Sequence, residues 1–227
     1  MKEIYNEIDS LKNDLIDLSH QIHSNPEIKW QEFSAVKNIE TLLNKYNIQI
    51  NKVKDLPTAF TASIKGNSKG PVIALLAEYD ALPGIGHACG HNLIAITNIG
   101  AFLGFLALKG NFPGEIRLIG TPAEEGGGGK ISLLGKNYFD DVDISLSSHG
   151  SSNTTILWED VPMGTGMSLA TSKAIYEFHG KASHAAINPD TIPVILCYFS
   201  ENEKKYISEK LLKFRLMVSG SAALPVS

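Results

Sequence analysis

The stretch Leu75–His91, LLAEYDALPGIGHACGH, constrains the fold more than any other part of the chain. It begins as a buried apolar strand, passes into a glycine- and proline-containing loop, and ends in Cys89-Gly90-His91. Two later stretches repeat the pattern. Thr121-Pro122-Ala123-Glu124-Glu125 follows the apolar run Ile116–Ile119, and Ser148-His149-Gly150 follows Ile144–Ser147. Three strand ends each carry residues with metal-ligand chemistry, and open α/β sheets place their sites just beyond the carboxyl ends of their strands.

The remaining periodicities agree with such a sheet. Ile4, Ile8, Leu11, Leu15, Leu18 and Ile22 recur at steps of three and four and predict one amphipathic helix, broken at Asn25-Pro26. His20 and His23 near its end read as imidazoles meeting the helix dipole. A second helix is expected over Gln31–Lys45, with Phe33, Val36, Ile39, Leu42 and Leu43 on one face. Ala59–Ile64 and Val72–Leu76 read as strands joined in a hairpin through Gly66-Asn67-Ser68-Lys69-Gly70. Leu93–Leu108, with small residues at Ala95, Gly100, Ala101 and Gly104, predicts a helix packed under the sheet, and Lys130–Lys136 a short one. Helices alternating with buried strands imply an α/β fold with a mostly parallel sheet and helices on both faces. From about Met163 the character changes. Ser172–Gly180 alternates like a strand of a new sheet, so a boundary is expected near Gly164-Thr165-Gly166.

Composition narrows the partners. The chain has 227 residues, 43% of them apolar, which is enough for a sizeable core. A net charge of −4 favours neither nucleic acid nor an anionic membrane. The charged N-terminus lacks a signal-peptide core, and no apolar run is expected to span a membrane. With only Cys89 and Cys197, the chain carries no disulfide framework, and a reducing, cytoplasmic setting is expected.

Cys89 as thiolate and His91 as neutral imidazole suit zinc or another borderline divalent ion. Glu125 and His149 can complete or extend the shell, and Asp80 can orient a ligand from behind. On an extended backbone the neighbours Glu124 and Glu125 diverge, so that one can hold metal while the other faces the water to be activated. A carboxylate base beside a metal-activated water is a hydrolytic site. A cysteine nucleophile, Cys89 with His91 or His149 as base, leaves the glutamates unexplained and their charge raises the thiol pKa. Gly126–Lys130 resembles a phosphate loop, but Ile131 stands where Ser or Thr should follow the lysine. These glycines are expected to let the backbone pass close to the site. His87 has no assigned role.

AEYDALPGIGHACGH, GTPAEEGGGGK, SSHG and GKASHAAINP together resemble the two-metal aminoacylase and carboxypeptidase-G family of metallopeptidases. The branch resembled contains indole-acetyl–amino-acid hydrolases, aminobenzoyl-glutamate hydrolases and β-alanyl-lysine-type dipeptidases. The resemblance runs from the N-terminal helix to about Pro189. It implies a metal-dependent hydrolase that cleaves the amide bond of small N-acyl amino acids or dipeptides, with two divalent ions per site. Zinc is the first expectation, manganese or cobalt the alternatives. It further implies Cys89, His91, Glu125 and His149 as metal ligands, Glu124 as general base and Asp80 as the supporting aspartate. His184 matches a lid-domain histidine that reaches the substrate of a neighbouring protomer, which implies a homodimer through the lid.

The sequence also departs from that family. Residues 1–163 read as the N-terminal part of a catalytic domain and 164–190 as the start of a smaller α/β lid or dimerisation domain. Residues 191–227 read as a tail outside the family, in which Lys213–Ser227 resembles a piece of an acyl-CoA synthetase. No histidine follows His184, so the family's last ligand histidine is missing. The alternative expectation is therefore a truncated, inactive metal-binding fragment.

Overall fold

The structure, a computed structural model, describes residues 1–150, which lie within one unit, Met1–Asp160. The boundary expected at Gly164-Thr165-Gly166, the strand Ser172–Gly180, His184 and the tail 191–227 lie outside the described residues.

The single N-terminal helix expected from periodicity is two, α1 (Lys2–Ser10) and α2 (Lys12–Ser24). They divide at Leu11, whose N–H is shared between the carbonyls of Glu7 and Ile8, each at 3.1 Å. Leu11 is itself buried, so the apolar stripe continues across the break. The helix stops where expected: Pro26 disfavours helical torsions at Asn25, whose ψ is 72°. α3 spans Phe33–Lys45, with Val36, Ile39, Leu42 and Leu43 buried. Phe33, expected on that face, is 57% exposed because it opens the first turn, before the helix has reached the core. The N-terminus of α3 is capped from a distance: the Glu27 carboxylate accepts from the N–H groups of Ser34 at 3.0 Å and Ala35 at 2.9 Å.

Five strands follow, β1 (Asn51–Val53), β2 (Leu56–Lys65), β3 (Ser68–Ala77), β4 (Pro113–Gly120) and β5 (Ile144–Leu146), in the spatial order β1-β2-β4-β3-β5. The sheet is mixed. β4-β3-β5 are parallel, and β2 and β1 add an antiparallel edge. The expected hairpin between β2 and β3 does not form, because β4 lies between them. Their connection is turned aside by the segment leading into β4. Gly66 N–H donates to the Gly114 carbonyl at 2.8 Å, and Asn67 N–H to those of Gly110 and Phe112. At Gly66 a Cβ would stand 2.0 Å from the Phe112 carbonyl oxygen, so only glycine permits this approach. The parallel neighbours β3 and β4 are joined by the helix α4 (His91–Gly104) and a 3-10 turn, Phe105–Leu108, as a parallel pair requires.

Alternation along β2, β3 and β4 sends side chains to two cores. Phe60, Ala62, Leu75, Ala77, Ile116 and Leu118 share one core with helices α2 to α4, whereas Ala59, Ala74, Leu76 and Ile119 share another with Leu133 of α5 (Gly129–Leu134). Helices thus cover both faces. Against the expectation that no segment could span a membrane, His91–Leu108 is helical, long and apolar enough by length and composition. In the fold it is a core helix: Ile94, Ala95, Ile99, Phe102 and Leu103 are buried. Its small residues serve contact with α1 and α2, since a Cβ at Gly100 would lie 2.9 Å from Leu15 and one at Gly104 2.9 Å from Ile8.

Outside the apolar layers, Arg117 of β4 makes two bonds to the Asp141 carboxylate, at 2.7 and 2.8 Å, and one to Glu115 at 2.8 Å. It fastens the loop before β5 to the sheet. Asp141 is largely exposed, so water screens much of this attraction. Arg117→Ala is expected to cost about 1 kcal/mol in urea unfolding, with an unchanged m-value.

Candidate metal centre

The site grows from the end of β3. Beyond Ala77, Glu78 and Asp80 both reach His91, whereas Tyr79 between them reaches Thr58. Tyr79 is fully buried and donates its hydroxyl to the Thr58 carbonyl, anchoring this extension to β2. The loop then delivers Cys89, and Gly90, with φ 84°, turns the chain so that His91 becomes the first residue of α4.

Asp80, 1% exposed, ties two other segments together. Its Oδ1 accepts from His91 Nδ1 at 2.8 Å and its Oδ2 from the Glu125 N–H at 2.8 Å. Burial pushes the Asp80 carboxyl up, but the bonds from His91 and from the Glu125 and Glu124 amides bring it below its ordinary value. An ionised carboxylate only accepts, so His91 donates from Nδ1, and in the neutral imidazole Nε2 is the nitrogen left to act as a ligand. That nitrogen is buried and makes no hydrogen bond. Three carboxylates surround it, with oxygens of Glu78 at 3.3 Å, Glu124 at 3.7 Å and Glu125 at 3.9 Å. Burial lowers the His91 pKa, but Asp80, Glu78 and Glu124 outweigh it and hold the imidazole above its ordinary value.

Glu124 and Glu125 do not diverge as an extended backbone would require. Both approach the same imidazole nitrogen because the chain turns here. Ala123 has φ 55°, and its carbonyl accepts from Gly127 N–H at 3.0 Å. The glycines pass close to this turn, as expected: a Cβ at Gly129 would stand 1.7 Å from the Pro122 carbonyl oxygen. Gly129→Ala is expected to force the turn apart at a cost of about 1–3 kcal/mol, measured by chemical denaturation.

Ligand atoms of Cys89, His91 and Glu125 lie within 4.8 Å of one another, and those of Glu78, His91 and Glu124 form a second such group. His149 joins only through Cys89: its Nε2 is 3.4 Å from Sγ, while Nδ1 faces the Gly150 carbonyl at 2.7 Å. His184 lies outside the described residues. Burial and then Glu125, Glu124 and Glu78 push the Cys89 thiol up to about 11, the opposite of what a free cysteine nucleophile needs. A buried imidazole nitrogen without a hydrogen-bond partner, a thiol and crowded carboxylates fit a divalent cation of borderline softness.

Sequence reasoning missed two residues here. Glu78 approaches His91 Nε2, and its other oxygen pairs with Lys130. The signal for Glu78 was its i, i+2 spacing from Asp80 at a strand end. Lys130 had none beyond a run of glycines.

Solved and curated proteins are similar to this chain. A dinuclear metal-binding peptidase of the M20 family from Bacillus subtilis superposes with a TM-score of 0.59 at 30% identity, covering 64% of this chain and 44% of that one. Xaa-Arg dipeptidase of Mus musculus is 35% identical over 195 residues, 80% of this chain and 43% of the relative. A component of the p-aminobenzoyl-glutamate hydrolase of Escherichia coli is 34% identical over 216 residues, 83% of this chain and 42% of the relative. The chain thus spans about half the length, or less, of the curated relatives it matches. The sequence profile of peptidase family M20/M25/M40 matches residues 74–203, and the chain belongs to that family.

Proposed function

We propose that this chain carries the larger part of the metal centre of an amidohydrolase or dipeptidase, which cleaves the amide bond of a small N-acyl amino acid or dipeptide. One observation carries the reading: the buried, unpartnered Nε2 of His91, fixed by Asp80 and faced by thiol and carboxylate donors. Cys89, His91, Glu125 and His149 would hold divalent metal, zinc before manganese or cobalt, with two ions in the complete site. When bound, such ions supply Lewis-acid polarisation of the amide carbonyl and acidify water.

The chain's own residues do the rest. Asp80 keeps His91 in the tautomer that offers Nε2 and holds the Glu125 backbone in place. Glu124, with its side chain 40% exposed, opens toward solvent and serves as general base. It takes the proton of the attacking water and returns it to the leaving amine. His184 is proposed to bind substrate across a homodimer formed by the lid. A reducing, cytoplasmic setting would keep the free Cys89 available as a ligand. The substrate class draws on the names of two relatives: a Xaa-Arg dipeptide and p-aminobenzoyl-glutamate both present an amide to an amino acid.

The alternative is metal binding without turnover. One preparation separates the two. Purified protein is assayed for bound zinc and for hydrolysis of acetyl amino acids and dipeptides, before and after chelation. Hydrolysis lost on chelation and restored by zinc supports the enzyme. Metal uptake without hydrolysis supports the alternative. Hydrolysis indifferent to chelators and abolished by thiol alkylation overturns both.

A further inference from the structure

The segment Asn25–Glu32 reads in the sequence as a helix break followed by the first residues of the next helix. In the fold it runs behind the metal centre. Glu27 O accepts from Ala81 N–H at 2.8 Å, and Ile28 bridges to Ala81, immediately beyond Asp80. At the end of this segment stands Glu32, a carboxylate with 0% exposure.

Glu32 occupies the N-cap position of α3, where a carboxylate ordinarily accepts from the first helical N–H groups. It makes no such bond. Glu27 already caps that helix through Ser34 and Ala35, which leaves Glu32 free of the task. Glu32 Oε1 instead accepts from Trp30 N–H at 2.9 Å and, 91 residues along the chain, from Ala123 N–H at 2.8 Å. Both of these residues are non-glycines held at positive φ, 64° and 55°. Trp30 lines the same turn, since a Cβ at Gly127 would meet its Nε1 at 2.7 Å.

Ala123 directly precedes Glu124 and Glu125, and its left-handed torsion is the reason both carboxylates approach His91. The turn is therefore gripped at two amides by two buried carboxylates: Asp80 at Glu125 and Glu32 at Ala123. Burying a carboxylate is costly unless its bonds repay the lost hydration. Burial pushes the Glu32 carboxyl above its ordinary value, and Thr58 and the Trp30 and Ala123 amides draw it back. Oε2 and the Thr58 hydroxyl nonetheless lack partners of good geometry, so the contact rests on Oε1. A leucine or methionine would fill this space without that cost. The acceptor is what the position requires.

We infer that Glu32 is a positioning residue of the metal centre, holding Ala123 in its left-handed turn so that Glu124 and Glu125 face His91. The inference rests on the metal-dependent reading above. It does not concern the helix that Glu32 begins, and this difference makes it testable.

The test uses the whole chain with three variants, Glu32→Gln, Glu32→Asp and Glu32→Met. Two readouts are taken: amide hydrogen exchange at Ala123 and Glu125, and cobalt(II) affinity followed through thiolate absorption. Glu32→Gln keeps an oxygen at Oε1 and should restore both readouts to within about twofold of wild type. Glu32→Asp keeps the charge but withdraws the oxygen by one methylene, and Glu32→Met removes it. Each should weaken cobalt binding about tenfold and speed exchange at Ala123 by a similar factor, as loss of a supporting contact does. If Glu32→Met fails to fold, Glu32→Asp decides. Wild-type affinity and protection in Glu32→Asp, or a Glu32→Gln as impaired as Glu32→Met, overturns the inference. A wild-type chain that protects Ala123 but takes up no cobalt overturns the metal reading instead, and exchange alone then decides whether Glu32 holds the turn.

Discussion

Glu124→Gln is expected to lower amide hydrolysis by about 10²–10⁴-fold, the usual contribution of a positioned proton-transfer group, while metal content stays at the wild-type level. The two residues of the pair differ in exposure. Glu125 is 21% exposed with its backbone N–H bonded to Asp80, whereas the Glu124 side chain is 40% exposed. An amide at position 124 has nearly the volume of the acid, so the turn at Ala123 and the burial of His91 should survive. It has no basic oxygen that could take a proton from water at neutral pH. The measurement is kcat against metal stoichiometry on the same preparation. Glu124→Gln that loses metal together with activity would make Glu124 a ligand and sink its assignment as base. Full activity with full metal would sink it equally.

The second large effect is expected at Asp80. One carboxylate there accepts from two donors, His91 Nδ1 and the Glu125 amide, through separate oxygens at 2.8 Å each. Asp80→Asn offers one acceptor and one donor: turned one way its NH2 meets the Glu125 N–H, and turned the other it meets the Nδ1–H of His91 or drives the imidazole to the Nε2–H tautomer. A buried donor left unpaired costs about 1–3 kcal/mol. His91 would also lose the contact that fixes its tautomer, and metal affinity should fall about 10–100-fold. Both consequences are measurable, by denaturant unfolding of the metal-free chain and by competition with a chelating dye. Reduced stability with wild-type affinity would show that Asp80 supports the fold but not the centre. Asp80→Asn should also bind metal more weakly than Glu32→Gln, because only Asp80 touches a ligand side chain directly.

Much of this was legible before any tertiary structure. Strand-length apolar runs ending in Cys89-Gly90-His91 and Ala123-Glu124-Glu125 are local patterns, and backbone periodicity with glycine and proline breaks suffices to place them. α2 ends at Ser24, before Asn25-Pro26, and β3 and β4 carry the runs that feed the two principal motifs. The chemistry of thiol, imidazole and carboxylate follows from residue type, so a metal centre could be anticipated from spacing alone.

What the sequence could not decide was which strand neighbours which, and which buried group answers which. β2 and β3 are separated by only two residues and still do not pair, because α4 returns the chain to lay β4 between them. The choice lies in close approach of the glycines at 66 and 114, a contact between distant segments that no window of sequence contains. At Glu124-Glu125 the local pattern misleads in the opposite sense, because an extended backbone would send the two side chains apart. The left-handed torsion of Ala123 brings the pair together, and that torsion depends on Glu32, 91 positions earlier. Glu78 likewise became a site residue only when α4 placed His91 against the end of β3. Local sequence determined the elements and supplied the ligand chemistry. Long-range burial selected their partners, because a polar group removed from water must find its hydrogen bond wherever the folded chain provides one.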